Sequence, residues 1–326
     1  MSEVDDHQLE SSRSPGQRLH LRERLPQGKT ARTVERAVIC MHGATMAGGI
    51  FDLPVAGYSW LERLAGAGFA SYALDARGYG GSGRPPQMAE PADQNAPFAR
   101  AAEVIEDLAE AVDFVRERCG VERISLIGYS WGTVISGLFV TTYPGLVDRL
   151  VLAAPVYNSR NEPWLKVVTD PDDVGRFNPA LGAYRLVSES DTIKRWNSQI
   201  GPADPSEWRD PAMLDALVAD FMGTDPEAEG LDPPAVRVPN GVLRDVFEIF
   251  NERPLYAAAE VTLPTLVIRG ADDPESTDPD ARGLYDALGA SEKRYVVIGN
   301  GSHFLFGERH GWQLFDEIER FLLPSR

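Results

Sequence analysis

A chain of 326 residues, 43% of them hydrophobic, can bury a sizeable core as one large domain or two smaller ones. Its net charge of −17, from 49 acids against 32 bases, repels phosphate backbones and anionic lipid, so neither nucleic acid nor a membrane is an expected partner. Its two cysteines, Cys40 and Cys119, stand apart and make neither a disulfide framework nor a zinc site.

Residues 1–16 are polar, carry a Pro15-Gly16 pair and read as a flexible tail. They hold no hydrophobic signal region, and no apolar stretch nears the roughly 20 residues that span a bilayer. A reducing, cytoplasmic setting is expected, and nothing sets an oligomeric state. Gln17 to Leu25 alternates apolar and polar residues like a half-exposed strand. A repeating rhythm follows, in which short apolar runs alternate with amphipathic helices. Strands are predicted at 37–41, 69–74, 123–127 and 150–153. Helices are predicted at 58–66, 99–118 and 131–143. In the longest helix Val104, Ile105, Leu108, Val112 and Val115 share one side. Buried strands alternating with helices mean βαβ units and a parallel sheet.

From about 157 to 255 the rhythm breaks. The segment is rich in Pro, Asp and Trp, shows no buried strand, and carries helical patches at 211–222 and 242–251. Strands return at 265–268 and 294–298, and a last helix covers about 310–323. The reading is a core of residues 17–156 and 256–326, an α/β domain with a mostly parallel sheet, interrupted by a mostly helical insertion at 157–255.

The strand Ile124-Ser125-Leu126-Ile127 runs into Gly128-Tyr129-Ser130-Trp131-Gly132, and a helix follows. A serine between strand and helix needs a sharp turn, and glycines two residues away on each side relieve the crowding. The hydroxyl then stands free, with a helix N-terminus behind it that favours developing negative charge. Ser130 is the candidate nucleophile.

A serine hydroxyl needs a base, most often histidine. Of five histidines, His7 lies in the expected tail, His20 in the first strand, and His310 at the start of the last helix. His42 follows the first buried strand. His303 lies in the glycine-rich loop Gly299-Asn300-Gly301-Ser302-His303 after the last strand, at the end of the sheet where α/β sites gather. His303 is the candidate base. Its partner acid should lie between 130 and 303 at a strand end. Asp272 and Asp273 both follow the strand Thr265–Ile268, with Asp273 preferred. Acyl transfer also needs N–H donors for the oxyanion. The backbone of Trp131 is one candidate. Ala44, in the loop His42-Gly43-Ala44-Thr45, is the other.

These pieces resemble the α/β-hydrolase superfamily over nearly the whole chain after residue 17: His42-Gly43, Asp75-Ala76-Arg77-Gly78-Tyr79-Gly80-Gly81-Ser82, the Gly-x-Ser-x-Gly turn, Gly270-Ala271-Asp272-Asp273 and Gly301-Ser302-His303-Phe304. In relatives the acid usually stands three residues after the strand's glycine, which favours Asp273. The Asp75–Ser82 segment usually has a structural role there. The resemblance makes the insertion a cap over the active site, where residues such as Trp164, Tyr184, Trp196 and Phe247 either line a pocket or glue the cap to its base. Dehalogenases and epoxide hydrolases of this fold carry aspartate at the nucleophile position, so Ser130 disfavours those chemistries.

The expected activity is hydrolysis of a carboxylic ester, lactone or thioester of a small apolar molecule through an acyl-enzyme, with no cofactor and no metal. The alternatives are an aminopeptidase similar to proline iminopeptidases, a carbon–carbon bond hydrolase, or a small-molecule receptor on the same fold.

Overall fold

A computed structural model of the chain describes residues 3–200 and 204–323. Met1 and Ser2 of the expected tail, 201–203 of the insertion and 324–326 of the core lie outside the described residues.

The expected tail is a strand over much of its length. Strand β1 (Val4–Glu10) pairs antiparallel with β2 (Arg18–Arg24), with Val4 opposite Arg24 and Glu10 opposite Arg18. Composition hides this strand because most of its side chains face solvent. Backbone pairing holds it, helped by His7, whose ring packs 5.2 Å from Phe114 and whose Nε2 lies 3.2 Å from Glu23 Oε2.

The strand–helix alternation then runs β3 (Ala37–Met41), α1 (Trp60–Gly66), β4 (Ala70–Leu74), α2 (Ala101–Cys119), β5 (Ile124–Tyr129), α3 (Trp131–Thr142) and β6 (Val147–Ala153). Every residue of β3, β4 and β5 is buried, as expected of strands covered on both faces. The apolar positions read from the sequence of α2 are all buried.

The insertion holds α4 (Glu162–Val168), β7 (Thr169–Asp170), β8 (Asp173–Phe177), β9 (Tyr184–Ser188), α5 (Glu189–Ile200), α6 (Pro205–Trp208), α7 (Pro211–Met222), β10 (Ala235–Pro239) and α8 (Gly241–Phe250). Helices α7 and α8 fall where the sequence places helical patches, α4, α5 and α6 add to them, and the insertion also holds two small antiparallel ribbons, β7–β8 and β9–β10. Most of β10 is buried, against the expectation of no buried strand. Its partner β9 lies far back in the chain, so no local pattern announces the pair.

The core resumes with β11 (Thr265–Gly270), α9 (Asp278–Ala287), β12 (Lys293–Ile298) and α10 (Gly311–Leu322). The eight-stranded sheet has the order β1-β2-β4-β3-β5-β6-β11-β12. Its first two pairings are antiparallel, and the rest are parallel. The helices flank this sheet, α2 against α3 and α1 against α10. No helix among the described residues is long and apolar enough to cross a membrane. The C-terminal ends of β3, β5, β11 and β12 bring the loops at 42–46, 130, 271–276 and 299–304 to one end of the sheet.

Candidate active site

Strand β5 ends at Tyr129 and helix α3 starts at Trp131, so Ser130 alone turns the chain. It does so at φ 55° and ψ −123°. That region is sparsely populated by residues with side chains and costs about 1–3 kcal/mol. Missing side chains nearby make the turn possible. A Cβ on Gly132 would stand 2.2 Å from the Met41 carbonyl oxygen, and one on Gly128 would stand 2.4 Å from that of Gly132.

The structure brings Ser130, His303 and Asp273 together from three loops. Ser130 Oγ lies 2.8 Å from His303 Nε2. On the far side of the ring, His303 Nδ1 lies 2.8 Å from Asp273 Oδ2 and 3.0 Å from Oδ1. The Asp273 carboxylate is fixed in turn by the backbone N–H groups of Glu275 at 2.8 Å and Ser276 at 2.9 Å. Asp273 is buried, whereas Asp272 is exposed. Tyr129 Oη donates to the His303 carbonyl and anchors the histidine loop from below.

Trp131 opens α3, and the first N–H groups of a helix have no partner within it. The Gly43–Ala44 peptide is oriented by His42. Ala76 N–H donates to His42 Nε2 at 3.0 Å, so that nitrogen carries no proton. The proton sits on Nδ1, which donates to the Gly43 carbonyl at 2.9 Å. Full burial pushes the His42 pKa down, consistent with the neutral ring. The other end of the peptide it holds is the Ala44 N–H. The next carbonyl, that of Ala44, accepts from Tyr79 Oη at 3.1 Å and from Arg185 Nη2 at 2.9 Å.

Sequence reasoning gives His42 no such duty and misses three further groups, Glu275, Arg195 and Gln199. Glu275 Oε2 lies 3.4 Å from His303 Nε2. Arg195, on α5, grips Glu275 with Nη2 at 2.7 Å from each carboxylate oxygen. Gln199, one turn further along α5, donates to Glu275 Oε1 at 2.9 Å and accepts from His303 N–H at 3.0 Å. Burial disfavours a charge on Glu275, yet Arg195, His303 and Gln199 bring its pKa down to about 2. Burial likewise lowers His303, but the Asp273 and Glu275 carboxylates outweigh it and raise the imidazole above the ordinary histidine value. The only sequence signal for Glu275 was its place two residues after Asp273.

A narrow cleft of about 30 Å³ opens on Ser130 and His303, lined by Thr45, Met46, Ile50, Arg195, Phe304 and Phe306 among others. A larger hollow of about 760 Å³ beside β2, lined by His20, Asp75 and Asp220, holds none of the three. There Asp75 accepts from His20 Nδ1 at 2.7 Å, Gly48 N at 2.6 Å and Gly81 N at 2.8 Å, bracing the two loops. A strained serine joined to an imidazole has the parts needed to attack a carbonyl carbon.

The profile of the family described as alpha/beta hydrolase fold matches residues 36–309. A monoacylglycerol lipase of Mycolicibacterium smegmatis is 24% identical over 263 residues, which cover 80% of this chain and 81% of the lipase. An epoxide hydrolase 3 of Siraitia grosvenorii is 28% identical over 137 residues, 40% of each protein. Among solved structures, an esterase from Exiguobacterium antarcticum superposes with a TM-score of 0.64 at 13% identity, over 96% of this chain and 98% of the esterase. The match along most of its length, on a fold built as described, makes this chain a member of the alpha/beta hydrolase fold family.

Proposed function

We propose that the protein is a serine hydrolase that cleaves a carboxylic ester through an acyl-enzyme. The observation that carries this reading is the continuous hydrogen-bonded line from Ser130 Oγ through His303 to Asp273, at 2.8 Å on each side of the ring. In this reading the three residues are a catalytic triad. Ser130 Oγ attacks the carbonyl carbon while its proton passes to His303 Nε2. Asp273 holds the ring in the right tautomer and stabilises the imidazolium. The N–H groups of Ala44 and Trp131 receive the oxyanion, each contributing about 2.7–4 kcal/mol in the transition state. His303 then protonates the departing alcohol, and a water deprotonated by the same nitrogen releases the acid.

Residues 157–255 form the cap in this reading, with α5 lying over the nucleophile. The similarity to a lipase and to an esterase supports ester chemistry. The similarity to an epoxide hydrolase weighs less, because it covers 40% of each chain and a serine stands at the nucleophile position here. The test is turnover of short-chain aryl esters together with labelling by a fluorophosphonate probe. Ser130→Ala is expected to abolish both. Labelling that persists in that variant overturns the assignment of the nucleophile.

A further inference from the structure

The hydrogen bonding of Thr45 restricts what can bind beside the nucleophile. Its Oγ1 accepts from Arg185 Nη2 at 3.1 Å and from Arg195 Nη1 at 3.2 Å. A hydroxyl oxygen has two lone pairs and one proton. Both lone pairs are engaged, so the proton is what Thr45 has left to offer, and no acceptor for it stands among the described residues. Thr45 lines the cleft with Ser130 and His303. The other hydroxyls of the cleft are occupied, Ser130 on His303 and Tyr129 on the His303 carbonyl.

The two guanidiniums behind this hydroxyl differ. Arg195 is matched by the Glu275 carboxylate. Arg185 donates only to neutral oxygens: Ala44 O at 2.9 Å, Pro239 O at 3.1 Å, Asn240 Oδ1 at 3.2 Å and Thr45 Oγ1. Among the described residues no carboxylate forms an ion pair with it. A cation taken partly out of water without a counterion favours any anion that can approach. The open O–H of Thr45 therefore sits at the end of an uncompensated positive charge, which polarises it toward an anionic acceptor. The remaining lining, Met46, Ile50, Phe304 and Phe306, is apolar and suits a short hydrocarbon body.

We propose that the Thr45 hydroxyl, backed by Arg185 and Arg195, receives a carboxylate carried by the substrate, so that the ester cut at Ser130 is a half-ester of a dicarboxylic acid. This rests on the hydrolytic reading given above. The hydrocarbon chain between the two carboxyl groups lies along the apolar lining, and the scissile carbonyl meets Ser130.

The experiment compares mono-4-nitrophenyl glutarate with its neutral counterpart 4-nitrophenyl valerate. The wild-type protein is expected to favour the acidic ester at least about tenfold in kcat/KM. Thr45→Val is expected to reduce that preference about tenfold or more, mainly through KM, while Thr45→Ser, which keeps the hydroxyl, retains it. A second arm needs no turnover: calorimetry of monomethyl glutarate binding to Ser130→Ala, alone and combined with Thr45→Val. The combined variant is expected to bind at least about tenfold more weakly. Equal turnover of both esters, or binding unchanged by Thr45→Val, overturns the carboxylate site and leaves hydrolysis standing. Binding that depends on Thr45 in a protein that cleaves neither ester supports the site and overturns the hydrolytic reading.

Discussion

Glu275 presents a second carboxylate to His303, its Oε2 lying 3.4 Å from Nε2, the ring nitrogen that meets Ser130 Oγ at 2.8 Å. Asp273 holds the opposite nitrogen, so the imidazole has an acid on either side. Both charges favour the protonated ring, and together they outweigh the burial that opposes it.

The pH dependence follows. In the proposed mechanism the base form of His303 is the active one, and its pKa is raised in the fold. Activity is therefore lost as pH falls through a value above the usual 6.5 for histidine, and is fully present above it. Glu275→Gln removes one of the two charges, and the acid limb of kcat/KM is expected to move down by about one unit. A limb that stays in place in this variant would mean that Glu275 is electrostatically silent toward the base.

The adjacent acids separate cleanly. Asp273 is buried against His303, and Asp272 is exposed. Asp273→Asn is expected to lower kcat about 10⁴-fold by imposing the wrong tautomer. Asp272→Asn is expected to change it by less than about threefold. Steady-state kinetics of the two variants on one aryl ester decides.

Among the described residues His42 has no hydrogen bond to Ser130 or His303, yet its variants should be slow. His42→Leu releases the Gly43 carbonyl, and with it the peptide whose other end is the Ala44 N–H. Loss of an oriented oxyanion donor costs about 10²–10³ in kcat. The expected signature is a fall in kcat of about 10²-fold with KM little changed. Thermal unfolding of the same variant checks that the fold survives.

Much of the fold and of the candidate site was legible, because both rest on local chemistry. The runs Ala37–Met41 and Ile124–Ile127 are apolar without alternation, as strands buried on both faces must be. Ser130 was legible from two glycines and a change of hydrophobic period, and His303 and Asp273 from their places after strands. What escaped depends on pairing across long stretches of chain. The side chains of β1 are mostly exposed, so its sequence looks like a polar tail. Strands β9 and β10 pair only once the segment between them has folded back. Arg185 and Arg195 are charged residues in a charged chain, and nothing local marks them as partners of the Thr45 loop, while Glu275 is marked only by its place two residues after Asp273. His42 was visible beside its glycine, but the role of its ring depends on Ala76, a contact made across the sheet.

Gly132, two residues after Ser130, offers a stability test. A Cβ on Gly132 would stand 2.2 Å from the Met41 carbonyl and 2.6 Å from that of His42. Both obstacles are backbone of a buried strand end and cannot swing away. Gly132→Ala is expected to cost about 2 kcal/mol or more, with the urea midpoint lowered and the m-value unchanged.

The loop that carries Ala44 and Thr45 is gripped from two directions. His42 and Tyr79, both from the core, hold one side, and Arg185 and Arg195, both from the insertion, hold the other. Evolution or an engineer exchanging the insertion for one from a relative would thus disturb more than the shape of the entrance. Unless the donor brings equivalents of both arginines, the graft would alter how fast this core turns over any substrate at all.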